Sequence, residues 1–234
     1  MLSIEKLNVS VGDKKILEDF NLKIGKGEVH AIMGPNGSGK STVLNSISGL
    51  IKIKNGEIDF NNIPIHKFET YQRVGVGISH VLERRRVFPY LTVLQNLLLG
   101  AYHEKAKAER EKSLQDIYNF FPKLKDRSSQ IANTMSGGEQ QMLAIGRGLM
   151  GMPKLLMVDE PFLGLAPLVI EDLKLIFKKI AERGIAILFV EQNVRLALSM
   201  ANRGYILESG RLVIDGASKD LVDSKEVKRV FLGS

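Results

Sequence analysis

Gly34-Pro35-Asn36-Gly37-Ser38-Gly39-Lys40-Ser41 decides how this chain is read. The octapeptide satisfies the pattern G-x-x-x-x-G-K-[ST], and its neighbours supply the context the pattern requires. On one side, Val29–Met33 is a short, mostly apolar run that reads as a strand. On the other, Ser41–Leu50 reads as a helix stopped near Gly49. A polyphosphate needs many donors at close range. Glycines remove side chains, so successive backbone N–H groups point inward as a nest, and the following helix adds its positive N-terminal end. Lys40 has the reach to meet β- and γ-phosphates, and the Ser41 hydroxyl is a small, hard ligand for Mg2+. A nucleotide site is therefore expected at Gly34, Pro35, Asn36, Gly37, Ser38, Gly39, Lys40, Ser41 and Thr42.

Such a site needs a carboxylate to complete the metal sphere and, for hydrolysis, a group to orient water. Leu155-Leu156-Met157-Val158-Asp159-Glu160 supplies both. Four apolar residues make a buried strand, and the two acids stand at its C-terminal end, where open α/β sheets bind ligands. Asp159 is expected to hold Mg2+ through water, and Glu160 to polarise the attacking water.

Working outward, 234 residues suit one α/β domain with a small inserted subdomain. Residues 1–27 alternate apolar and polar (Leu2, Ile4, then Leu7, Val9, Val11), with turns at Gly12-Asp13 and Gly25-Lys26-Gly27, and read as antiparallel strands. Roughly 88–150 is rich in Leu, Lys, Glu and Gln, with helical periodicity over 92–121 and 137–150 and an interruption at Pro122. Leu155–Val158 and Ile185–Val190 suit parallel strands buried on both faces. Asp172–Arg183 reads as the crossover helix between them. Tyr205–Ala217 reads as a hairpin around Ser209-Gly210, followed by a charged terminal helix.

Composition narrows the chemistry. The chain has no cysteine, which excludes disulfides and thiolate metal sites. His30, His66, His80 and His103 are scattered without metal-ligand spacing. The net charge of +7 is compatible with anionic partners but does not name one. No apolar run approaches the ~20 residues needed to cross a bilayer, and Met1-Leu-Ser-Ile-Glu-Lys lacks the apolar stretch of a secretory signal. If the protein works at a membrane, another chain does the crossing.

Between the phosphate loop and the acidic strand lies Met135-Ser136-Gly137-Gly138-Glu139-Gln140-Gln141. Here the sequence resembles the ATP-binding cassette (ABC) ATPases, whose signature reads L-S-G-G-[EQ]-Q. The resemblance covers essentially the whole chain, in order. It implies an α/β P-loop NTPase with a parallel core sheet, an antiparallel β flank and a helical subdomain. Residues 1–234 would form a single ABC ATPase domain, with 1–87 and 151–234 as nucleotide-binding core and 88–150 as helical signature subdomain. In that family two cassettes face each other head to tail, with ATP between the phosphate loop of one and the signature of the other. The resemblance thus makes Ser136, Gly137, Gly138 and Glu139 a second anion cap at a helix start. It makes a second cassette (identical or different) and membrane permease subunits the expected partners, with no nucleic acid, and ATP and Mg2+ the cofactors. It places the chain in the cytoplasm, peripheral on the inner face of the cell membrane.

Within the family, residues 87–168 look most like the smaller ATPase subunit of branched-chain amino acid importers. The stretches that carry this are Arg85-Arg86-Val87-Phe88-Pro89, Leu91-Thr92-Val93, Gly138 to Arg147, Gly164-Leu165-Ala166-Pro167 and Val190-Glu191-Gln192-Asn193. Residues 28–42 look more like the ATPase of the SUF iron–sulfur assembly machinery. The implied function is therefore energising import of branched-chain or hydrophobic amino acids. The alternatives are a soluble iron–sulfur assembly ATPase, or a nucleotide-gated binding module with little turnover.

Four positions depart from the general family pattern. Val11 precedes Gly12 where an aromatic usually stacks on the base, a loss worth about 1–3 kcal/mol. Glu83 stands where a glutamine usually meets Mg2+, an acid that fits the branched-chain subfamily, although Leu82 and Arg84 stand where that subfamily usually has Pro and Gly. Gln192 stands at the switch histidine that senses γ-phosphate, as in the branched-chain subfamily. Phe162 stands where a serine is usual, which puts a large apolar group beside the expected dimer interface. Arg84-Arg85-Arg86 reads as a solvated turn, a contact with a partner's coupling helix, or a nucleic-acid contact.

Overall fold

The computed structural model describes residues 1–227. From the N-terminus come β1 (Leu2–Val11), β2 (Lys14–Ile24), β3 (Val29–Met33), α1 (Lys40–Ser48), β4 (Asn55–Phe60), β5 (Ile63–Pro64), α2 (Thr70–Gly75) and β6 (Ile78–Val81). A helical segment follows, with α3 (Val93–Gly100), α4 (Glu104–Ala108), α5 (Arg110–Phe120), α6 (Pro122–Asp126) and α7 (Gly137–Met150). Strand and helix then alternate through β7 (Leu155–Asp159), α8 (Pro167–Glu182), β8 (Ala186–Glu191), α9 (Val194–Leu198) and β9 (Arg203–Glu208). The described chain ends with β10 (Arg211–Ala217), α10 (Ser218–Asp223) and α11 (Lys225–Val227).

Two sheets result. One is antiparallel in the order β2-β1-β4-β5. The other runs β10-β9-β3-β8-β7-β6; its pairs are parallel except for β10 against β9. The phosphate-loop strand β3 is therefore central, between β8 and β9.

The N-terminal alternation slips at Lys6, and the structure shows why. Inward-facing Ile4 and Leu7 are three residues apart, so one extra residue must be absorbed. Lys6 absorbs it in a left-handed conformation (φ 47°), and Asp19 does the same on β2 (φ 48°), so Leu7 still meets Phe20.

Side chains of the parallel strands alternate between two cores. Leu155, Met157, Leu188 and Val190 face α1 and the antiparallel sheet. Leu156, Val158, Ile187 and Phe189 face the other way, into a core that also holds Leu97, Ile117 and Leu143 of the helical segment.

Several expected boundaries move. The helical run over 92–121 is three helices. Thr92 caps α3 through a reciprocal pair of bonds with Gln95, and α3 ends at Gly100. A Cβ there would lie 2.0 Å from the Arg147 carbonyl oxygen, so Gly100 permits close packing on α7. Pro122 starts α6 rather than only breaking a helix, because its missing N–H falls where no intrahelical bond is needed. The crossover helix begins at Pro167, earlier than Asp172. The expected terminal helix is two short ones, and its continuation past 227 lies outside the described residues.

Phe162 is the main correction. It is not a surface group: it is 4% exposed, and its ring packs against Phe177 and Phe189. The arginine triplet is likewise not a uniform solvated turn. All three residues have positive φ, and the side chains of Arg84 and Arg86 both turn back to Glu83. Arg84 pairs with Glu83, the Arg86 carbonyl accepts from Arg147, and the Arg85 guanidinium lies against Gly137.

Candidate nucleotide site

The loop from Gly34 to Gly39 is shaped by three left-handed glycines, Gly34 (φ 147°), Gly37 (φ 79°) and Gly39 (φ 106°). Two of them also permit close approach. A Cβ on Gly34 would lie 2.2 Å from the Leu207 carbonyl oxygen, and one on Gly39 would lie 2.7 Å from Leu17 Cδ2. The Gly210 N–H donates to the Ser38 carbonyl at 3.0 Å, so the β9–β10 turn braces the loop. Pro35, Asn36 and Gly37 are exposed at its tip, and the buried Ser38 hydroxyl has no hydrogen-bond partner among the described residues. An orphan hydroxyl inside a nest of N–H groups suits a phosphate oxygen.

Lys40 is buried, and its ammonium donates to the carbonyls of Gly34 (2.9 Å) and Pro35 (3.0 Å). Burial lowers its pKa, while Glu160, Asp159 and Glu191 oppose that shift. The Ser41 hydroxyl donates to Asp159 Oδ1 at 3.1 Å, joining the start of α1 to the end of β7. Burial pushes Asp159 up to about 6. The Ser41 bond and Lys40 pull it down, and the charges of Glu160 and Glu83 push it further up. Glu83 thus lies within electrostatic reach of Asp159.

Glu160 follows in a left-handed conformation (φ 46°), and its N–H donates to the Val190 carbonyl at 3.1 Å. Beyond Val190, Glu191 Oε1 accepts the backbone N–H groups of Gln192 (2.8 Å) and Asn193 (3.1 Å). Gln192 is exposed, and the Asn193 side chain caps α9. Lys40, Ser41, Asp159, Glu160, Glu83 and Glu191 therefore share one electrostatic neighbourhood. Glu191 had drawn no role from its sequence motif, although the signal was present: like Asp159, it is an acid ending an apolar strand.

The signature residues make other contacts. Ser136 caps α7; its hydroxyl accepts from the Glu139 N–H at 3.4 Å, and the Glu139 carboxylate accepts from the Ser136 N–H at 2.9 Å. Arg127 pairs with Glu139 at 3.0 Å. Burial raises the Glu139 pKa, but Ser136, Arg127 and Lys123 outweigh it and hold the carboxyl below its usual range. A Cβ on Gly137 would meet Arg85 Nη1 at 2.7 Å, and one on Gly138 would meet Val169 at 2.9 Å. The signature thus forms its own surface at the start of α7.

Val11, at the β1–β2 turn, is exposed and offers no ring to a base. No group of three or more His, Asp or Glu among the described residues could cage a metal. No described helix is long and apolar enough to cross a membrane.

A glycine nest feeding a helix, with a strand-end acid bonded to the helix's first serine, defines a P-loop nucleotide-binding protein. The ABC transporter family matches residues 17–163, and the chain belongs to that family as an ATP-binding subunit, an ATPase cassette. It is 39% identical over 233 residues to the high-affinity branched-chain amino acid transport ATP-binding protein BraG of Pseudomonas aeruginosa, covering 100% of both chains. It is 30% identical over 236 residues to the lipopolysaccharide export system ATP-binding protein LptB of Haemophilus influenzae, covering 100% of this chain and 97% of that protein. Among solved structures it resembles the ADP conformation of MJ1267, an ATP-binding cassette of an ABC transporter. The TM-score is 0.88 at 28% identity, covering 100% of this chain and 99% of the other.

Proposed function

We propose that this cassette energises import of branched-chain or other hydrophobic amino acids through membrane permease subunits, at the cytoplasmic face of the membrane. The likeness to BraG over both full lengths supports that substrate class. The observation that carries the hydrolytic reading is the Ser41–Asp159 bond, with Lys40 buried in the field of Asp159 and Glu160.

The roles divide as follows. The glycine nest and Lys40 hold the phosphates of ATP. Ser41, Asp159 and Glu83 offer hard oxygens to Mg2+, and too few of them for an all-protein cage. That suits a cation that keeps waters and phosphate oxygens in its sphere. When bound, Mg2+ neutralises charge on the transferring phosphoryl group. Glu160 orients and polarises the attacking water, and the Gln192 amide donates toward the γ-phosphate. Ser136, Gly137, Gly138 and Glu139 cap the nucleotide held by a partner cassette, as the family's pairing requires.

The test is reconstitution. The cassette is purified with its co-expressed permease in proteoliposomes, and ATP hydrolysis is followed with leucine-loaded binding protein, with free leucine, or with lipopolysaccharide. Stimulation by the loaded binding protein supports the reading. Stimulation by lipopolysaccharide alone, the cargo named for LptB, overturns it.

A further inference from the structure

Glu191 is 8% exposed and ends β8 directly before the switch position. Its two oxygens differ. Oε1 accepts two consecutive backbone N–H groups, from Gln192 and Asn193. Oε2 is buried without a hydrogen-bond partner among the described residues. Lys40 attracts the carboxylate and Glu160 repels it. A buried acid with one orphan oxygen is costly to the fold, so fold stability does not account for the two backbone bonds that Oε1 makes.

The neighbours suggest what it does. Gln192 is exposed, so side-chain packing does not fix its direction; its backbone does. That backbone is fastened on three sides. Val190 is tied to the Glu160 N–H, Asn193 is tied into α9 through the Leu196 N–H, and Glu191 grips the two peptide groups between them.

We propose that Glu191 is a positioning residue for ATP hydrolysis. Its carboxylate latches the backbone at Gln192 and Asn193 and so aims the Gln192 amide at the γ-phosphate. This rests on the assignment of Gln192 above. The latch acts through Gln192 alone, and because it holds backbone N–H groups, a neutral acceptor oxygen can replace it. Misplacing a reacting group by about 1 Å costs on the order of 100-fold in rate.

The experiment measures phosphate release by the full chain and by Glu191→Leu, Glu191→Gln, Gln192→Ala and the double variant Glu191→Leu/Gln192→Ala. Amide exchange at residues 192 and 193 is read in parallel. Glu191→Leu should lower kcat by about tenfold or more, with KM for ATP changed by less than about threefold. Glu191→Gln should stay within about threefold of wild type. The double variant should be no slower than the slower single variant. The two amides should exchange at least about tenfold faster in Glu191→Leu and unchanged in Glu191→Gln.

Additive losses in the double variant overturn the proposal. So does a slow Glu191→Gln with unchanged exchange, which would show that charge rather than the latch matters. That second result decides the question even if Glu191→Leu does not fold. A slow Gln192→Ala beside a fast Glu191→Leu removes the latch and leaves the switch assignment standing. A Gln192→Ala with wild-type kcat removes the switch assignment and the latch with it.

Discussion

The ring of Phe162 stands edge-on to that of Phe189, with centroids 6.0 Å apart and planes at 85°. Phe177 closes a triangle with both, at 6.1 Å from each. Such clusters add to the gain from area burial alone, and this one joins α8 and β8 to the loop that follows Glu160.

Phe162→Ser should therefore destabilise the fold, by about 3–5 kcal/mol if the cavity does not collapse. The urea unfolding midpoint should drop well below wild type, and Phe162→Leu should keep most of the stability. An unchanged midpoint in Phe162→Ser, or a gain in ATP-dependent dimerisation, would restore the view of Phe162 as a misplaced interface residue.

Burial makes the Asp159 carboxylate a cost to the fold. Burial holds its pKa near 6 in the fold, while unfolded aspartate titrates near 4. The native state thus binds this proton more tightly. Its contribution favours folding at low pH and is lost as pH rises from about 4 to about 6. Above that, the fold carries a buried charge costing about 1–3 kcal/mol. With EDTA present, Asp159→Asn should raise the melting temperature at pH 8, with a smaller gain at pH 5; assayed separately with Mg2+, the variant should lose ATP hydrolysis. An equal gain at both pH values would assign the effect to packing instead.

Glu160→Gln keeps the backbone bond to Val190 and removes only the charge. ATP affinity, read by titration with a fluorescent analogue, should hold. Hydrolysis should slow at least ~100-fold, and an ATP-bound dimer should accumulate in size-exclusion runs. Wild-type turnover would name another residue as the base.

At Gln192 the amide donates a hydrogen bond but cannot become cationic, whereas a histidine can. Transition-state stabilisation in phosphoryl transfer is largely electrostatic. The chain alone should hydrolyse ATP slowly, and Gln192→His or a histidine-bearing partner cassette should speed it. Fast turnover by the unmodified chain, with no gain from either change, contradicts this.

The phosphate loop and the Asp159-Glu160 pair were legible because each is a local pattern whose chemistry depends on residues adjacent in sequence. Asn55–Phe60 and Ile78–Val81 carry no unbroken apolar run, and they become strands through pairing with Leu2–Glu5 and Leu155–Val158. Phe162 was misread for the same reason: its partners Phe177 and Phe189 lie on other elements. The inward course of Arg85 depends on left-handed φ at three successive arginines, which residue type does not foretell.

The brace on the phosphate loop has a consequence for biogenesis. Strand β3 is translated more than 150 residues before the strands that flank it, yet it lies between Ala186–Glu191 and Arg203–Glu208. The Ser38 carbonyl waits for the N–H of Gly210, and Gly34 is shaped to pass under Leu207. An emerging chain on the ribosome therefore holds the glycine motif long before it holds a formed site. Long-range closure of this kind comes late in folding. Nucleotide capture becomes a sign that β9 and the turn after it have been made, and truncated products ending before β9 would lack the walls needed to grip and burn ATP.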